Sequence, residues 1–365
     1  MKIVIAYAQQ QAKVDGIRDY ATHLAAELRR AGGDADLRLV PPGRGCAAGL
    51  IGALPRDRPA ALVLQYNPFS WGRWGVAPGL CLALAAVRRR RPQARIMLMV
   101  HESWVPMRDA RWVVMGAWQR AQLRVLLLAA DRALATTAVV TAELSRAVPS
   151  RAVEHLPVSS NLPDQRDARN AERARAGYGG RLVVAAFQTG HESHLRDHVQ
   201  RAAQAVARAS SDPVILLLLG SGDVPPAGLD GVERIVAPGY LEQRALARAL
   251  CTADIFLAPF TDGASTRRTT LMAALQHGLA TVTTTGERTD PVLLDPEVFG
   301  PAIGDDADRF CAEAVALALD PALRERRGLA GRALFARCFD WPVLCARLSA
   351  AIGAAGGVSA PGSRR

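Results

Sequence analysis

Short apolar runs alternate along the chain with longer segments whose apolar residues recur every three or four positions. This alternation occurs twice, once before and once after a polar, charged stretch at 159–180. The apolar runs lie at 2–6, 60–65, 96–100, 181–187 and 214–219, and the helical patterns at 17–28, 112–129 and 195–209. Such alternation is typical of parallel sheets built from strand–helix–strand units. The sequence therefore predicts an α/β protein with two similar halves.

The stretch 253–285 contains one such unit in full. It predicts a strand at 254–259, a small-residue turn at 261–265, a helix at 266–277 and a second strand at 280–284. The turn would lie between the carboxyl end of a strand and the amino end of a helix, where unpaired N–H groups and the helix dipole favour a bound phosphate. Arg267 and Arg268 fall in the first turn of the predicted helix, where the dipole disfavours cations unless an anion is bound.

Two loops of the first half carry aromatic and ionisable residues directly after predicted strands. Tyr66, Trp71 and Trp74 follow the strand at 60–65, and His101 follows the strand at 96–100. Open α/β sheets bind ligands beyond the carboxyl ends of their strands. A histidine there can transfer protons or contact a hydroxyl near neutral pH. The alternatives are a structural histidine bonded to the backbone and aromatic residues that only pack the loop.

Glycine-containing loops also follow predicted strands. Gly16 precedes the first helix, while Gly190 and Gly222 follow the first two strands of the second half. There is no GxGxxG pattern, so the sequence contains no dinucleotide-binding fingerprint. His191 is interpreted as a polar contact to a nucleotide, because the HESH sequence around it does not match the HExxH zinc motif. No metal site is predicted.

The charge of the chain is strongly positive. The 365 residues are 50% hydrophobic and 22% charged, and the formal net charge is +11. This charge favours anionic ligands such as nucleotides, or an acidic membrane surface, although a solvated arginine-rich surface is the alternative. The run of arginines at 88–91 leaves the same two possibilities open. Because aromatic and basic residues do not interleave, nucleic acid is not a predicted partner.

The six cysteines show no CxxC spacing and are interpreted as reduced thiols of a cytoplasmic protein. The first residues lack the apolar core of a signal peptide, and no apolar run reaches the roughly 20 residues that a membrane-spanning helix requires. Peripheral contact with the inner face of the membrane stays open.

The two halves, together with a last helix after a break at 339–342, resemble the GT-B fold of glycosyltransferases and family 4 in particular. The resemblance implies two Rossmann-like domains that face each other across a cleft, with a C-terminal helix that crosses back to the first domain. It implies an acceptor domain at 1–162, a donor domain at 163–338, the crossing helix at 339–352 and a disordered tail at 353–365. The segments that carry it read GIRDYATHLAAELRRAG, QYNPFSWGRWG, MLMVHESW, GSGD, ADIFLAPFTDGASTRRTTLMAALQHGLATVTTTG and FDWPVLCARLSAAI.

The resemblance also implies transfer of a hexose-like sugar, with retention and without a metal, from a nucleotide-diphosphate sugar to a hydroxyl of a glycan, a lipid-linked molecule or a natural product. Such a role belongs to polysaccharide or glycoconjugate biosynthesis. The catalytic residues would be His101 and Asp262. The acceptor would contact Tyr66, Trp71, Trp74 and Glu102. The donor would contact Gly16, Gly190, His191, Gly222, Gly263, Ala264, Ser265, Thr266, Arg267 and Arg268.

The chain departs from the family at two places. Ser265 and Ala273 occupy the positions of the paired glutamates that hold the sugar and the ribose, and no lysine occurs in 188–195 to contact the diphosphate. Arg267 and Arg268 would then supply the missing positive charge, and Asp262 or Ser265 would hold sugar hydroxyls. Two alternatives follow: a catalytically degenerate partner protein that binds a nucleotide sugar, and an epimerase or hydrolase with the same fold.

Overall fold

The structure is a computed structural model, and it describes residues 1–8, 15–105, 109–188, 192–220 and 228–355. The chain forms two compact units. Unit 1 comprises Met1–Pro157 and Trp341–Arg365, and unit 2 comprises Val158–Asp340. The sequence placed these domain boundaries at 162/163 and 338/339.

Unit 1 contains a parallel sheet whose strand order is β2-β1-β3-β4-β5-β6. Its strands are β1 (Lys2–Tyr7), β2 (Asp34–Leu39), β3 (Ala60–Tyr66), β4 (Arg95–Val100), β5 (Arg132–Ala135) and β6 (Val153–His155). Its helices up to residue 147 are α1 (Gly16–Arg30), α2 (Cys46–Ala53), α3 (Pro68–Trp71), α4 (Pro78–Arg90), α5 (Ala110–Ala129) and α6 (Ala138–Ala147). The chain leaves β1 towards β2 and then returns to the other side of β1 with β3. The order of the strands therefore reverses between β1 and β3.

Unit 2 contains a second parallel sheet, with the order β11-β10-β7-β8-β9. Its strands are β7 (Leu182–Phe187), β8 (Val214–Leu219), β9 (Val232–Val236), β10 (Ile255–Ala258) and β11 (Ala280–Thr283). Its helices are α7 (Arg169–Ala176), α8 (Arg196–Ala209), α9 (Gln243–Leu250), α10 (Thr269–Gln276), α11 (Pro296–Phe299), α12 (Ala307–Leu319) and α13 (Pro321–Cys338). Here the strand order reverses between β7 and β10.

Several strands of both sheets are buried on both faces, as expected for parallel strands that helices cover. All residues of β3, β7, β8, β10 and β11 are buried. Among the described residues, no helix combines the length and apolar character needed to cross a bilayer. All six cysteines are free thiols.

A mostly buried carboxylate fixes α7 to the sheet of unit 2. Asp254, just before β10, accepts hydrogen bonds from Arg169 Nη2 at 2.6 Å and Arg173 Nη1 at 2.9 Å, and also from the N–H of Val183 at 2.8 Å. These charge-assisted bonds place two arginines of the polar segment 159–180 against the sheet. Part of the polar stretch 159–180 is therefore a helix that is bound to the sheet of unit 2.

The last helix, α14 (Trp341–Ala354), belongs to unit 1. The ring of Trp341 lies 5.3 Å from that of Tyr20 and 5.7 Å from that of His23, both on α1. At the other end of α14, Arg95 Nη1 donates to the carbonyl of Ile352 at 2.8 Å. The prediction of two Rossmann-like domains with a C-terminal helix that returns to the first is confirmed.

Candidate functional site

Both strand-order reversals bring site residues to the carboxyl ends of adjacent strands. In open α/β sheets the loops diverge at such a point and leave a crevice in which ligands bind. In unit 1 the reversal brings the start of α1 near the ends of β3 and β4. In unit 2 it places the turn 259–268, after β10, beside the end of β7.

The turn after β10 has a tightly constrained backbone. Gly263 has φ +85°, and a Cβ atom at this position would lie 2.2 Å from Thr289 Oγ1 and 2.4 Å from the Gly286 nitrogen. The N–H of the next residue, Ala264, donates to the Thr284 carbonyl at 2.9 Å. Only glycine fits this position, because it has no Cβ and tolerates a positive φ.

Asp290 holds the other end of the turn. Its Oδ2 accepts hydrogen bonds from the N–H of Thr266 at 2.6 Å and from Thr266 Oγ1 at 2.9 Å, and both residues are fully buried. The N–H of Asp290 donates to the Ala264 carbonyl at 3.2 Å. A carboxylate in this position acts as a rigid brace for the turn.

The predicted start of the helix is corrected by three residues. α10 begins at Thr269, and Arg268 is its N-cap residue with φ −87° and ψ 92°. Thr266 cannot be helical because Asp290 holds its N–H and side chain in the turn. Arg267 and Arg268 therefore precede the helix and do not occupy its first turn, where the dipole would disfavour a cation. They flank the amino end of α10, where an anion would be stabilised.

The structure distinguishes the two arginines. Arg268 donates to Asp262 Oδ1 at 2.6 Å and to Ser193 Oγ at 2.9 Å, and its guanidinium lies 4.3 Å from the ring centroid of Phe260. Its side chain is 12% exposed. The Arg267 side chain is 29% exposed and reaches Asp262 over a longer distance of 3.5 Å. Arg268 therefore braces the turn, while Arg267 presents more of its charge to solvent.

Four of the residues predicted to contact the donor are buried, namely Gly263, Ala264, Ser265 and Thr266. Ser265 is 1% exposed and Thr266 is fully buried. The Ser265 hydroxyl has no hydrogen-bond partner within the described part of the chain. Ala273, the other position at which the resemblance implied a glutamate, is 2% exposed. Neither substituted position carries a group that could replace a glutamate at the surface.

Gly190, His191 and Gly222 lie outside the described residues. Of the described histidines that follow in the sequence, His194 packs edge-on against Phe260 with ring centroids 5.1 Å apart, and His198 Nε2 lies 2.9 Å from the Asp305 carbonyl oxygen. Within the described ranges, no group of three or more His, Cys, Asp or Glu side chains is arranged to hold a metal ion.

In unit 1, His101 lies directly after β4 and is held on several sides. Its Nε2 is 2.7 Å from Gln65 Oε1, its ring is 5.2 Å from that of Tyr20, and its N–H donates to the Tyr66 carbonyl at 2.9 Å. Desolvation lowers the pKa of His101 to about 4. The Asp15 carboxylate has a smaller, opposite effect that raises this pKa. The ring is therefore neutral at pH 7. With Nε2–H donating to Gln65, Nδ1 carries the lone pair.

Gly16 is the first residue of α1, and among the described residues no heavy atom lies within 4 Å of a Cβ atom built on it. The preceding Asp15 is the N-cap, and its Oδ1 accepts from the Arg18 N–H at 3.0 Å. The described residues thus leave the Gly16 backbone uncovered, and the buried Asp15 carboxylate lies close enough to influence the His101 pKa.

The aromatic platform predicted from Tyr66, Trp71 and Trp74 does not form. Tyr66 is fully buried and its hydroxyl accepts from Gln122 Nε2 at 3.2 Å, while Trp71 is 2% exposed and donates through Nε1 to the Gln65 carbonyl at 2.9 Å. Both indole and phenol contribute to the core because each polar group finds a partner there. Only Trp74 of the three is exposed, at 57%.

Trp74 and Glu102 are the predicted acceptor residues that reach the surface. The guanidinium groups of Arg73 and Arg111 lie 5.3 Å and 5.6 Å from the centroid of the Trp74 ring. Trp74 has φ 57°, which is rare for a bulky residue. The exposed Glu102 accepts from Asn67 Nδ2 at 3.0 Å.

The low pKa of His101 predicts a pH-dependent loss of stability in unit 1. The unfolded chain takes up a proton near pH 6.5, whereas the folded chain does so only near pH 4. The free energy of unfolding should therefore fall as the pH falls through this window and stay constant above it. We expect a loss of roughly 2 kcal/mol, somewhat less than the full shift implies because the ring is partly exposed.

Urea unfolding of wild type and His101→Gln, measured at several pH values from 4 to 8, checks this expectation. The difference between the two proteins isolates His101 from the other histidines. A pH dependence that is identical in both proteins would contradict it.

Several residues that shape these sites carried no sequence signal. Asp290 braces the turn from 24 positions away, Ser193 contacts Arg268 across 75 positions, and Gln65 meets His101 across 36. Their partners are distant in the chain, so no local spacing marks them. Asp15 is different: an aspartate directly before an amphipathic helix is a recognisable N-cap.

No protein-family model matches the chain, and no curated protein matches its sequence. Solved structures do match over nearly the full length. Sucrose-phosphate synthase from Thermosynechococcus elongatus is 15% identical, covers 98% of this chain and 100% of its own, and has a TM-score of 0.68. HepE from Anabaena, in complex with UDP-glucose, is 12% identical, with coverages of 97% and 100% and a TM-score of 0.66.

WaaG, a glycosyltransferase involved in lipopolysaccharide biosynthesis, is 13% identical, with coverages of 96% and 99% and a TM-score of 0.63. These neighbours share the two parallel-sheet α/β domains of the GT-B fold. The chain therefore has the GT-B fold. At identities of this size the likeness concerns the fold alone.

Proposed function

We propose that the protein is a glycosyltransferase that moves a sugar from a nucleoside-diphosphate sugar to an acceptor hydroxyl. The observation that carries this proposal is the braced turn of unit 2. Arg267 and Arg268 flank the amino end of α10 at the point where the strand order reverses. Helix N–H groups and guanidinium groups together favour a diphosphate. The neighbour structures of HepE with UDP-glucose and with UDP support a UDP-sugar as the donor class.

In the proposed reaction the bond between the anomeric carbon and the diphosphate oxygen breaks, and a bond to the acceptor oxygen forms. The acceptor proton passes to the leaving phosphate, and the sugar keeps its anomeric configuration. Arg267 and the first-turn N–H groups of α10 would stabilise the charge that develops on the diphosphate. Preorganisation of the turn by Asp290 and Arg268 keeps these donors in place without reorganisation during the reaction.

In unit 1 the neutral His101 would accept a hydrogen bond from a sugar or acceptor hydroxyl through Nδ1. A pKa of about 4 suits an uncharged hydrogen-bonding partner better than a proton donor at neutral pH. Trp74 and Glu102 are the exposed residues of the predicted acceptor set. The acceptor itself would be a glycan, a lipid-linked molecule or a natural product, and the enzyme would act in the cytoplasm without a metal cofactor.

The second candidate function is a binding protein that holds a nucleotide sugar without transferring it. It is favoured by the replacement of both family glutamates by the buried Ser265 and Ala273. An epimerase or hydrolase with the same fold is a further possibility that the same experiment separates.

The experiment is incubation of the purified protein with UDP-, GDP- and TDP-sugars, with and without acceptor extracts, while released nucleotide is quantified. Calorimetry measures binding of each nucleotide in parallel. Acceptor-dependent release supports transfer. Release without acceptor indicates hydrolysis, and binding without release indicates the degenerate binding protein. If the protein neither bound nor cleaved any of these donors, the proposal would be overturned.

A further inference from the structure

Helix α5 exposes an apolar stripe on the side that faces away from the core of unit 1. Positions 114, 118, 121, 125 and 128 recur at intervals of four and three residues, which places them along one line of a helix. The residues are Val114, Trp118, Ala121, Val125 and Leu128, and we refer to them as the α5 outer stripe. The four larger side chains are 72%, 43%, 50% and 52% exposed, respectively. A soluble surface helix normally carries polar residues at such positions.

The opposite face of α5 shows that the stripe does not result from a misplaced helix. That face contains Gln119 and Gln122, and each is buried and fully engaged. Gln119 accepts from the Val105 N–H at 2.9 Å and donates to the Trp74 carbonyl at 3.1 Å. Gln122 accepts from the Ala77 N–H at 2.6 Å. These bonds fix the rotation of the helix, so its two polar inner residues face the protein and its apolar stripe faces outward.

More exposed aromatic surface adjoins the amino end of the stripe. Trp112 is 38% exposed and Val113 is 43% exposed. The Trp74 ring lies beside Arg111 of α5 and is 57% exposed. Tryptophan is enriched where proteins meet the interface between lipid and water, because its ring is apolar and its N–H is polar.

Positive charge borders the stripe. α5 contains Arg111, Arg120 and Arg124 and no acidic residue. Arg111 lies on one flank of the stripe by helical spacing, and Arg120 and Arg124 lie on the other. At the carboxyl end, Arg151 donates to the Leu128 carbonyl at 2.7 Å and adds a fourth guanidinium group. The apolar line thus has a cationic border along its length.

We infer that the α5 outer stripe docks onto the surface of an anionic phospholipid bilayer. An apolar helix face with tryptophan and flanking arginines lies flat in the headgroup region, where the apolar residues enter the acyl boundary and the cations meet lipid phosphates. A second copy of the chain is a poorer occupant, since two arginine borders would face each other and repel. The arginines of α5 also suit a helix that lies on the membrane rather than one that crosses it. This inference is independent of the proposed sugar transfer.

The test is flotation of the full-length protein with two kinds of vesicle, one of phosphatidylcholine alone and one of phosphatidylcholine mixed with phosphatidylglycerol. We expect binding to the anionic vesicles only. The triple variant Val114→Gln, Trp118→Gln and Val125→Gln should lose at least about tenfold in partitioning, because these side chains would no longer transfer apolar surface out of water. Glutamine is a good helix former, so the helix is retained.

The matched control is Leu319→Gln with Leu329→Gln, which removes two leucines of unit 2 that are 58% and 65% exposed. It should bind vesicles like wild type. The double variant Arg111→Gln and Arg124→Gln tests the contribution of charge. Its partitioning into anionic vesicles should fall by roughly 30-fold, because two cations near the anionic surface are lost. Brominated acyl chains should quench the fluorescence of bound wild type more than that of bound Trp118→Phe.

Three outcomes would overturn the inference. One is equal vesicle binding by wild type and the triple variant. Another is the absence of binding to anionic vesicles by wild type. The third combines two results: wild type does not bind vesicles, and it dimerises with increasing concentration in analytical ultracentrifugation whereas the triple variant stays monomeric. The stripe would then bind a second copy of the chain.

Discussion

Substitution of Gly263 by alanine is expected to destabilise unit 2 by about 4 kcal/mol and to abolish binding of a nucleotide sugar. The positive φ of +85° accounts for part of this loss, because an L side chain rarely adopts it. The larger part comes from overlap: the new Cβ would lie 2.2 Å from Thr289 Oγ1 and 2.4 Å from the Gly286 nitrogen. The Gly286 nitrogen is a backbone atom, so the turn itself must move and carry Arg267 and Arg268 with it.

Gly239→Ala separates these two causes. Gly239 has a similar φ of +73°, and no heavy atom of the described residues lies within 4 Å of a Cβ atom built on it. It should therefore show only the cost of the backbone conformation, about 1 kcal/mol. Urea unfolding, together with hydrogen exchange of peptides from β10 and α10, measures both variants. Equal destabilisation of the two would refute the role of the close contacts at Gly263.

Replacement of Arg268 by alanine is the second large effect that we expect, and it should reduce both stability and donor affinity. The variant loses two hydrogen bonds of the guanidinium group and its contact with Phe260, and it leaves the Asp262 carboxylate with the longer 3.5 Å contact to Arg267. Loss of one partner from a mostly buried ion pair costs about 3 kcal/mol. Donor affinity should fall by roughly 100-fold as the turn loosens.

Arg267→Ala should behave differently. Its side chain is more exposed and lies farther from Asp262 than that of Arg268, so unit 2 should keep its stability within about 0.5 kcal/mol. Affinity for UDP should nevertheless fall by at least about tenfold, because a charge-assisted bond to the diphosphate is lost. Arg326→Ala, which removes an exposed arginine from α13, is the matched control and should leave both quantities unchanged.

Arg268→Lys tests whether charge alone suffices. A lysine has the same charge but cannot reproduce the planar fork that reaches Asp262 and Ser193 together, so we expect little rescue of stability. Calorimetry with UDP and thermal unfolding measure these variants side by side. If Arg267→Ala and Arg268→Ala both kept wild-type affinity for UDP, the proposed diphosphate contact at this turn would be wrong.

The aromatic loop of unit 1 shows where local pattern is insufficient. The segment after β3 combines glycine, proline and aromatics, which predicted an exposed loop with a stacking surface. Trp71 instead turns inward because the Gln65 carbonyl accepts its N–H, and Tyr66 is inward because Gln122 of α5 reaches its hydroxyl. Both partners satisfy a polar group that otherwise would have kept the ring at the surface.

Helix α5 is a second case in which the local sequence pattern does not show which side chains are buried. Its residues predict a helix from their composition, but apolar side chains occur on both faces, so periodicity does not reveal which face is buried. Two glutamines decide the matter through bonds to backbone groups of the 74–77 segment and residue 105. Their partners come from other parts of the chain, and the consequence is an apolar stripe left on the surface.

The sequence by itself determined the two α/β halves, their parallel strands and the strand–turn–helix–strand unit at 253–285, because these depend on local periodicity and on glycine at Gly263. The tertiary structure decided where α10 begins, which arginine braces the turn and which presents its charge. These depend on Asp290, Ser193 and Asp262, whose side chains meet the turn only after the sheet has formed. Contacts between residues far apart in the chain leave no mark in local spacing, so only the folded structure could show them.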